Sequence, residues 1–303
     1  MSMDCALFEA FAKTLEAEVL TEEPLKNHCS FKIGGPAERL VIPKKESAVI
    51  QTVQFARENN VPLTVLGNGS NVLIRDEGLR GIVLKLAGGL CSLAHTGDGT
   101  ISAGAGLSLK KLCMFAEERS LTGLEFAYGI PGSVGGAVYM NAGAYGGEIK
   151  NVLAGVRTVS LTDGSVREYP AGQLSLSYRH TPFMETKEII TAAHFRLTPG
   201  DKDAITQQMR TLLAKRKASQ PLEYPSAGST FKRPQVGYAA AMIEQCGLKG
   251  LRVGGAEVSR KHAGFVLNTD NASFEDVRKL MEQIQSRVFA ETGVMLEPEV
   301  EIL

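Results

Sequence analysis

The chain has 303 residues, 44% of them hydrophobic and 22% charged, which describes an ordinary soluble globular protein with room for two domains or three small ones. Its 33 basic and 33 acidic residues cancel, so no global field favours nucleic acid or an anionic membrane, and the absence of Trp argues against a base-stacking surface. The cysteines (Cys5, Cys29, Cys91, Cys113, Cys246) are scattered and never form C-x-x-C, which argues against a disulfide scaffold or a zinc site and suits a reducing cytosol.

The N-terminus carries acids and no positive region ahead of an apolar core, so it does not read as a secretory signal; Leu7, Phe8, Phe11 and Leu15 instead trace one face of a helix. NHCSFKIGGPAERLVIP (27–43) reads as a loop, a glycine turn at 34–35 and a strand ending at Pro43. Residues 46–59 read as a helix with Val49, Val53 and Ala56 on one side. PLTVLG and GIVLKL read as buried strands flanking a Gly-rich loop, VLGNGSNVLI (65–74), and complete a small α+β subdomain over about residues 20–88.

A second β-rich block follows. TGDG (96–99) separates LCSLAH from TISAGAG as a hairpin, and Ser108 caps a helix through about Ser120 with Leu109, Leu112 and Ala116 inward. Asp163-Gly164 joins VRTVSL to VREY as a second hairpin, and EIITAAHFRL (188–197) closes the block. Composition shifts at TPGDKD (198–203). A helix over about 201–218 places Ile205, Met209, Leu212 and Leu213 together and ends in Lys215-Arg216-Lys217. Another helix, 236–246, stops at Gly247. Ser273 and Asp276 fit a capping box ahead of the apolar stripe Val277, Leu280, Met281, Ile284 and Val288, which is packing rather than a site. Residues 200–303 thus read as a separate α+β domain.

Residues 126–147, FAYGIPGSVGGAVYMNAGAYGG, form a 22-residue stretch with no charge and seven glycines. Pro131, Asn141 and the glycines exclude a membrane-spanning helix. Neither this stretch nor 65–74 matches G-x-G-x-x-G or the P-loop. The functional reading is that both loops let the backbone approach the phosphates of a cofactor; the competing one is a purely structural turn. Three further segments join reactive side chains to loop-like surroundings: SLSYRHTPF (175–183) with Tyr178, Arg179 and His180, PSAGSTFKRP (225–234) with Ser229 and Lys232, and LEPEVEIL (296–303) with Glu299. Singly they read as a salt-bridged arginine, a structural histidine, a turn serine and a strand acid facing water. The basic run at 215–217 either meets a diphosphate or complements its helix dipole.

Taken jointly, NHCSFKIGGPA, VLGNGSNVLI, GIPGSVGGAVYMNAGAYGGEI, SYRHTPF, AGSTFKRP, KHAGFVLN and LEPEV resemble, in this order and from about residue 27 to 301, the UDP-N-acetylenolpyruvoylglucosamine reductase family of peptidoglycan precursor synthesis. The resemblance implies an α+β chain with an FAD-binding fold of the vanillyl-alcohol-oxidase (PCMH) type over 1–199, in subdomains of about 1–88 and 89–199, and an α+β substrate-binding domain over 200–303. It implies non-covalent FAD, NADPH as reductant, and reduction of UDP-N-acetylglucosamine enolpyruvate to UDP-N-acetylmuramate. Flavin contacts are expected from Leu66, Gly67, Asn68, Gly69, Ser70, Asn71 and Val72, and from Gly129, Pro131, Gly132, Ser133, Gly135, Gly136, Ala137, Asn141, Ala142 and Gly143. Arg179, Ser229 and Glu299 fall on the family's catalytic positions: hydride passes from flavin N5 to C3, Ser229 protonates C2, Arg179 stabilises the intervening negative charge, and Glu299 assists. Tyr178, Lys217 and Lys232 are the expected substrate-binding residues, and no metal is expected.

The same resemblance implies a cytoplasmic monomer or weak homo-oligomer with neither nucleic acid nor membrane as partner. Cys29 stands where threonine is common, Ala227 stands at a tolerant position, and the chain resembles the shorter form lacking an extra tyrosine-bearing loop. The alternatives are an FAD-dependent sugar or lactone oxidase of the same fold, and a flavin or nucleotide-sugar binding protein without turnover.

Overall fold

A computed structural model describes residues 5–303. They fall into two compact units, each discontinuous in sequence. The first comprises residues up to Thr21, Arg39–Asn68 and Arg80–Lys215; the second comprises Glu22–Glu38, Gly69–Leu79 and Arg216–Leu303. Segments 22–38 and 69–79, which local pattern assigns to the N-terminal subdomain, therefore fold with the C-terminal residues.

The first unit is built on two sheets. One runs in the order Ala17–Pro24, Pro36–Pro43, Leu79–Lys85, Leu63–Leu66, and its last two strands are parallel, with Leu63 opposite Ile82 and Leu66 opposite Lys85. Ile82, Val83 and Leu84 are fully buried, as a parallel strand covered on both faces requires. Helices Cys5–Thr14 and Glu46–Glu58 meet through Phe11 stacked on Phe55, ring centroids 4.3 Å apart, with Phe8 edge-on to the same ring.

The other sheet is antiparallel, in the order Val166–Pro170, Leu153–Ser160, Glu188–Arg196, Thr100–Gly104, Leu93–Gly97. Both expected hairpins form. Glu188–Arg196, expected to close the block, is instead its central strand. Its near-continuous burial suits two paired edges, whereas the charged Val166–Pro170 is mostly exposed and takes an edge. Arg157 ties this sheet to the start of helix Glu46–Glu58: its Nε and Nη2 grip Glu46 at 2.9 and 2.8 Å while Nη1 reaches Glu168 on the neighbouring strand at 2.7 Å. Glu188, whose side chain is fully buried, accepts from Arg167 at 2.8 Å, from the Tyr169 hydroxyl at 2.7 Å and from Thr158. A charge taken out of water persists because its oxygens are met in this way.

Two helices depart from expectation. Leu109–Glu117 is capped by Ser108 but ends before Ser120, which takes a left-handed φ of 55°. Within the glycine-rich stretch, Val134–Tyr139 forms a helix where propensity suggests none.

The second unit holds the antiparallel sheet Arg252–Val253, Ala256–Val258, Val266–Asn268, and two helices, Ala239–Gln245 and Phe274–Thr292. Ala239–Gln245 starts later than expected because Gly237 has φ +74° and Tyr238 is extended. Helix Lys202–Ser219 runs from the first unit into the second, with Ile205 and Met209 buried. Among the described residues, no helix is long and apolar enough to cross a membrane.

The expected capping box is present. The Asp276 N–H donates to Ser273 Oγ at 3.1 Å, and the Ser273 N–H donates to Asp276 Oδ2 at 3.0 Å. Behind it Val277, Leu280, Met281, Ile284 and Val288 are all buried. Ser273→Ala removes the acceptor and should cost about 1 kcal/mol of second-unit stability. Urea denaturation followed by far-UV circular dichroism measures this, and an unmoved midpoint contradicts it.

Candidate active site

Within the first unit the two glycine-rich loops meet. A Cβ built on Gly67 lies 2.6 Å from Ser133 Oγ, too close for any side chain to stand there unless the serine moves. Ser133 is the N-cap of Val134–Tyr139, and its hydroxyl accepts the Gly136 N–H at 3.4 Å. Gly135 is equally constrained, since its Cβ would lie 2.8 Å from that of Ala105. Two main-chain bonds lock this helix start beside that of Leu109–Glu117: Leu109 N–H to Gly132 O at 3.0 Å and Val134 N–H to Leu107 O at 2.8 Å.

The expected flavin residues divide by exposure. Asn68, Pro131 and Gly136 are exposed, and Gly67, Ser70, Asn71, Val72, Gly129 and Gly143 are half-buried. Leu66, Gly69, Gly132, Ser133, Gly135, Ala137, Asn141 and Ala142 are buried and shape the loops from behind. Gly67, Gly129 and Gly136 leave these loops free of side chains at positions that are not buried, as a close approach by a dinucleotide's pyrophosphate would require.

Arg179 also belongs to the first unit. It sits at the tip of a tight turn in which Ser177 and His180 exchange main-chain bonds of 3.0 and 3.2 Å. Arg179 takes a left-handed φ of 54°, and its guanidinium lies 5.6 Å from the centroid of the half-exposed Tyr178 ring. His180 is exposed and faces Glu185 at 3.1 Å.

Ser229 and Glu299 lie in the second unit, where main-chain pairing brings their segments together. Phe231 bridges Pro298, the Lys232 N–H donates to Glu297 O, and the Glu299 N–H donates to Thr230 O, the latter two both at 2.8 Å. Glu299 is only 6% exposed. A strand acid was expected to face water; here the pairing turns it inward. On the other side of the serine segment, Ser229 bridges Phe265, the Thr230 N–H donates to Gly264 O at 2.8 Å, and Thr230 Oγ1 accepts the Val266 N–H at 3.0 Å. The buried Thr230 thus holds the half-buried Ser229 between two neighbouring segments.

The N-terminal motif supports the same loop. Ser30 Oγ donates to Ser226 O at 2.7 Å, and Asn268 Nδ2 donates to Phe31 O at 3.2 Å. The Cys29 thiol donates to Ile33 O at 3.2 Å, so cysteine supplies a local donor where threonine is common. Asn71, expected beside the flavin, donates through Nδ2 to Glu299 O at 3.1 Å, and its carbonyl accepts the Glu301 N–H at 2.9 Å. Lys232 is exposed and paired with Glu297 at 3.6 Å, and Lys217 is exposed near the end of its helix, its carbonyl accepting Lys261 Nζ at 2.7 Å. Sequence reasoning missed Thr230, Ser30 and Asn71 as supports; the only available signal was their place inside the motifs. Among the described residues no group of His, Cys, Asp and Glu is arranged to hold a metal ion.

A family model described as the C-terminal domain of UDP-N-acetylenolpyruvoylglucosamine reductase matches residues 220–303, and one described as an FAD binding domain matches 37–169. An Agathobacter rectalis protein named UDP-N-acetylenolpyruvoylglucosamine reductase is 47% identical over 296 residues, covering 94% of each chain. The chain belongs to the UDP-N-acetylenolpyruvoylglucosamine reductase family. A Geobacillus kaustophilus member is 46% identical, with 95% of this chain and 94% of that one covered. The crystal structure of the Thermus caldophilus reductase superposes with a TM-score of 0.81 at 34% identity, over 94% of this chain and 98% of that one. An alkyldihydroxyacetonephosphate synthase, at 17% identity, shares the fold alone: its TM-score is 0.51, over 65% of this chain and 41% of that one.

As a member of this family the chain is an FAD-dependent oxidoreductase, with the FAD-binding fold the sequence implied. The FAD binding model spans both glycine loops but ends before Arg179, whereas Ser229, Thr230 and Glu299 fall inside the reductase-specific C-terminal model. Gly67→Ala should weaken FAD retention about tenfold or more, roughly 1.4 kcal/mol, measured by flavin fluorescence titration. Unchanged affinity would remove Gly67 from the cofactor cradle.

The segment beside Ser229 also carries a titratable group. Burial holds the His262 imidazole below its ordinary value, and its Nδ1 accepts the Gly264 N–H at 3.2 Å, a bond only the unprotonated nitrogen makes. A depressed folded value means that this contribution to stability is complete above the unfolded value of about 6.5 and is lost as pH falls through the folded one. The stability advantage of wild type over His262→Gln should therefore shrink between about pH 7 and pH 5. A difference independent of pH contradicts this.

Proposed function

We propose that the chain reduces UDP-N-acetylglucosamine enolpyruvate to UDP-N-acetylmuramate, using NADPH and non-covalently bound FAD. It does so in the cytoplasm, as a monomer or weak homo-oligomer, with residues 1–199 serving the cofactor and 200–303 the substrate. The observation that most supports this reading is the backbone pairing that sets the Ser229 and Glu299 segments side by side, with Glu299 buried, inside the reductase-specific domain.

FAD, held by the glycine-rich loops around Gly67 and Ser133, would supply the hydride chemistry, with NADPH as the reductant and C3 of the enolpyruvyl ether as the acceptor. The protein's own residues handle charge and protons. As C3 gains hydride, negative charge builds at C2 and spreads into the substrate carboxylate. The Arg179 guanidinium, a planar fork, meets that carboxylate with paired hydrogen bonds and stabilises the charge as it forms. The Ser229 hydroxyl donates its proton to C2. A hydroxyl is a weak acid in water, but it suffices against a strongly basic carbon when held in place, and the bonds around Thr230 supply that hold. Glu299 orients the donor from its buried position. Tyr178 and the ammonium groups of Lys217 and Lys232, all exposed, contact the nucleotide sugar and its diphosphate.

A proton donor aimed at carbon serves reduction of an alkene; an alcohol oxidase needs a base at that position. The test separates the half-reactions. In Ser229→Ala, NADPH should bleach the flavin at a near-normal rate, because that step puts no proton on carbon. Reoxidation by the enolpyruvyl substrate should fall by about 10²–10⁴-fold. Normal reoxidation in this variant overturns the serine assignment, and oxygen-driven turnover of a sugar alcohol without NADPH overturns the reductase reading.

A further inference from the structure

The turn that carries Arg179 has a two-residue tip on which Tyr178 is exposed and Arg179 half-buried, and its arginine has a left-handed backbone. Where the guanidinium can reach depends on where this turn is held. The structure supplies two bolts, one on each flank. On the entry side, Asn141 Nδ2 donates to Ser177 O at 3.0 Å. On the exit side, the hydroxyl of the fully buried Thr181 donates to Tyr139 O at 2.9 Å. Both bolts run to the end of helix Val134–Tyr139 and the residues just after it, which are anchored in the core of the first unit.

Asn141 is itself fully engaged. Its second amide hydrogen goes to Glu148 Oε2 at 2.9 Å, and its Oδ1 accepts the Lys150 N–H at 3.0 Å. With 2% exposure and both amide hydrogens committed to protein acceptors, its side chain has no donor left for a cofactor. The Glu148 carboxyl is held below its usual range by Lys150 first, then by Asn141 and the charge of Arg179, so the same cluster also presents a counter-charge to the arginine.

We infer that Asn141 and Thr181 are positioning residues that clamp the Ser177–His180 turn from both sides and so fix Arg179 for the reaction, and that Asn141 serves this turn rather than the flavin. The inference rests on the proposed role of Arg179.

The test uses the FAD-loaded enzyme and three readouts: FAD affinity by fluorescence, flavin bleaching by NADPH, and reoxidation by UDP-N-acetylglucosamine enolpyruvate. Thr181→Val removes the hydroxyl with little change of shape, and Thr181→Ser restores it. The expected result is wild-type FAD affinity and bleaching in both variants, with reoxidation slowed about 10- to 100-fold in Thr181→Val and recovered in Thr181→Ser. The loss should appear in kcat rather than KM, because the displaced group acts on charge present only in the transition state. Asn141→Ala should behave like Thr181→Val and keep its FAD. Loss of FAD from Asn141→Ala with normal reoxidation of the remaining flavoprotein overturns the inference, as does normal reoxidation in Thr181→Val. Arg179→Lys tells the two failures apart. If that variant collapses while Thr181→Val is normal, the clamp alone is wrong; if it reoxidises normally, the role of Arg179 fails and the clamp falls with it.

Discussion

A side chain at position 67 would displace the hydroxyl of Ser133. The strand Leu63–Leu66 ends in a turn that passes within contact distance of the Ser133 hydroxyl, and glycine leaves that hydroxyl where it caps its helix. That approach fixes the start of helix Val134–Tyr139 against the edge of the first sheet, while the bonds from Leu109 and Val134 fix it against a second helix start. Two capped helix N-termini therefore lie together, with Ser108 and Ser133 bridged to each other. Their dipoles add a positive field in a region with no charged side chain from Phe126 to Gly147. On the proposed reading, an anionic cofactor would be met here by geometry and partial charges instead of by lysine or arginine.

The second unit shows a comparable economy in its main chain. Gly69, at φ +61°, packs against the carbonyl of His28, where a Cβ would come within 2.4 Å, and its own carbonyl accepts the Ser30 N–H. Two residues later Asn71 holds Glu299, after which Val72–Leu73 pairs in parallel with Glu301–Ile302. The Arg75 N–H then takes the terminal Leu303 carbonyl at 3.0 Å. A loop read as cofactor-binding and a terminal segment read as catalytic are thereby parts of one strand pairing. Displacing either backbone moves the other, which makes the register of Glu299 a property of the loop as much as of its own segment.

Much of this was legible in the sequence because it is local. The capping box at Ser273 and Asp276, the hairpins at 96–99 and 163–164 and the parallel strands around the first glycine loop depend on residues within a few positions of one another. What escaped depends on distant partners. Gly135 and Gly136 make a poor helix by propensity, yet Val134–Tyr139 is helical because Gly135 must lie flat against Ala105. The alternation around Glu299 points it to water, and only pairing with Thr230 and Asn71 buries it. The association of 22–38 and 69–79 with the C-terminal residues has no local signature. Nor does the amide of Asn141 announce whether it turns to a ligand or to Ser177.

The strain at Arg179 shows why its turn needs more than one support. A left-handed backbone costs a residue with a side chain about 1–2 kcal/mol. Glycine would relieve this, but it carries no guanidinium, so the proposed chemistry would demand a side chain where the backbone disfavours one. A single intramolecular hydrogen bond contributes about 0.5–1.5 kcal/mol net, a range that only partly covers the strain. Two such bonds, from Asn141 and Thr181, contribute about 1–3 kcal/mol and so span the whole of it, and because they grip opposite flanks the turn cannot relax by pivoting about either one. Strained conformations persist where their surroundings over-determine them, and here the constraint falls on the residue to which the proposed mechanism gives the forming charge.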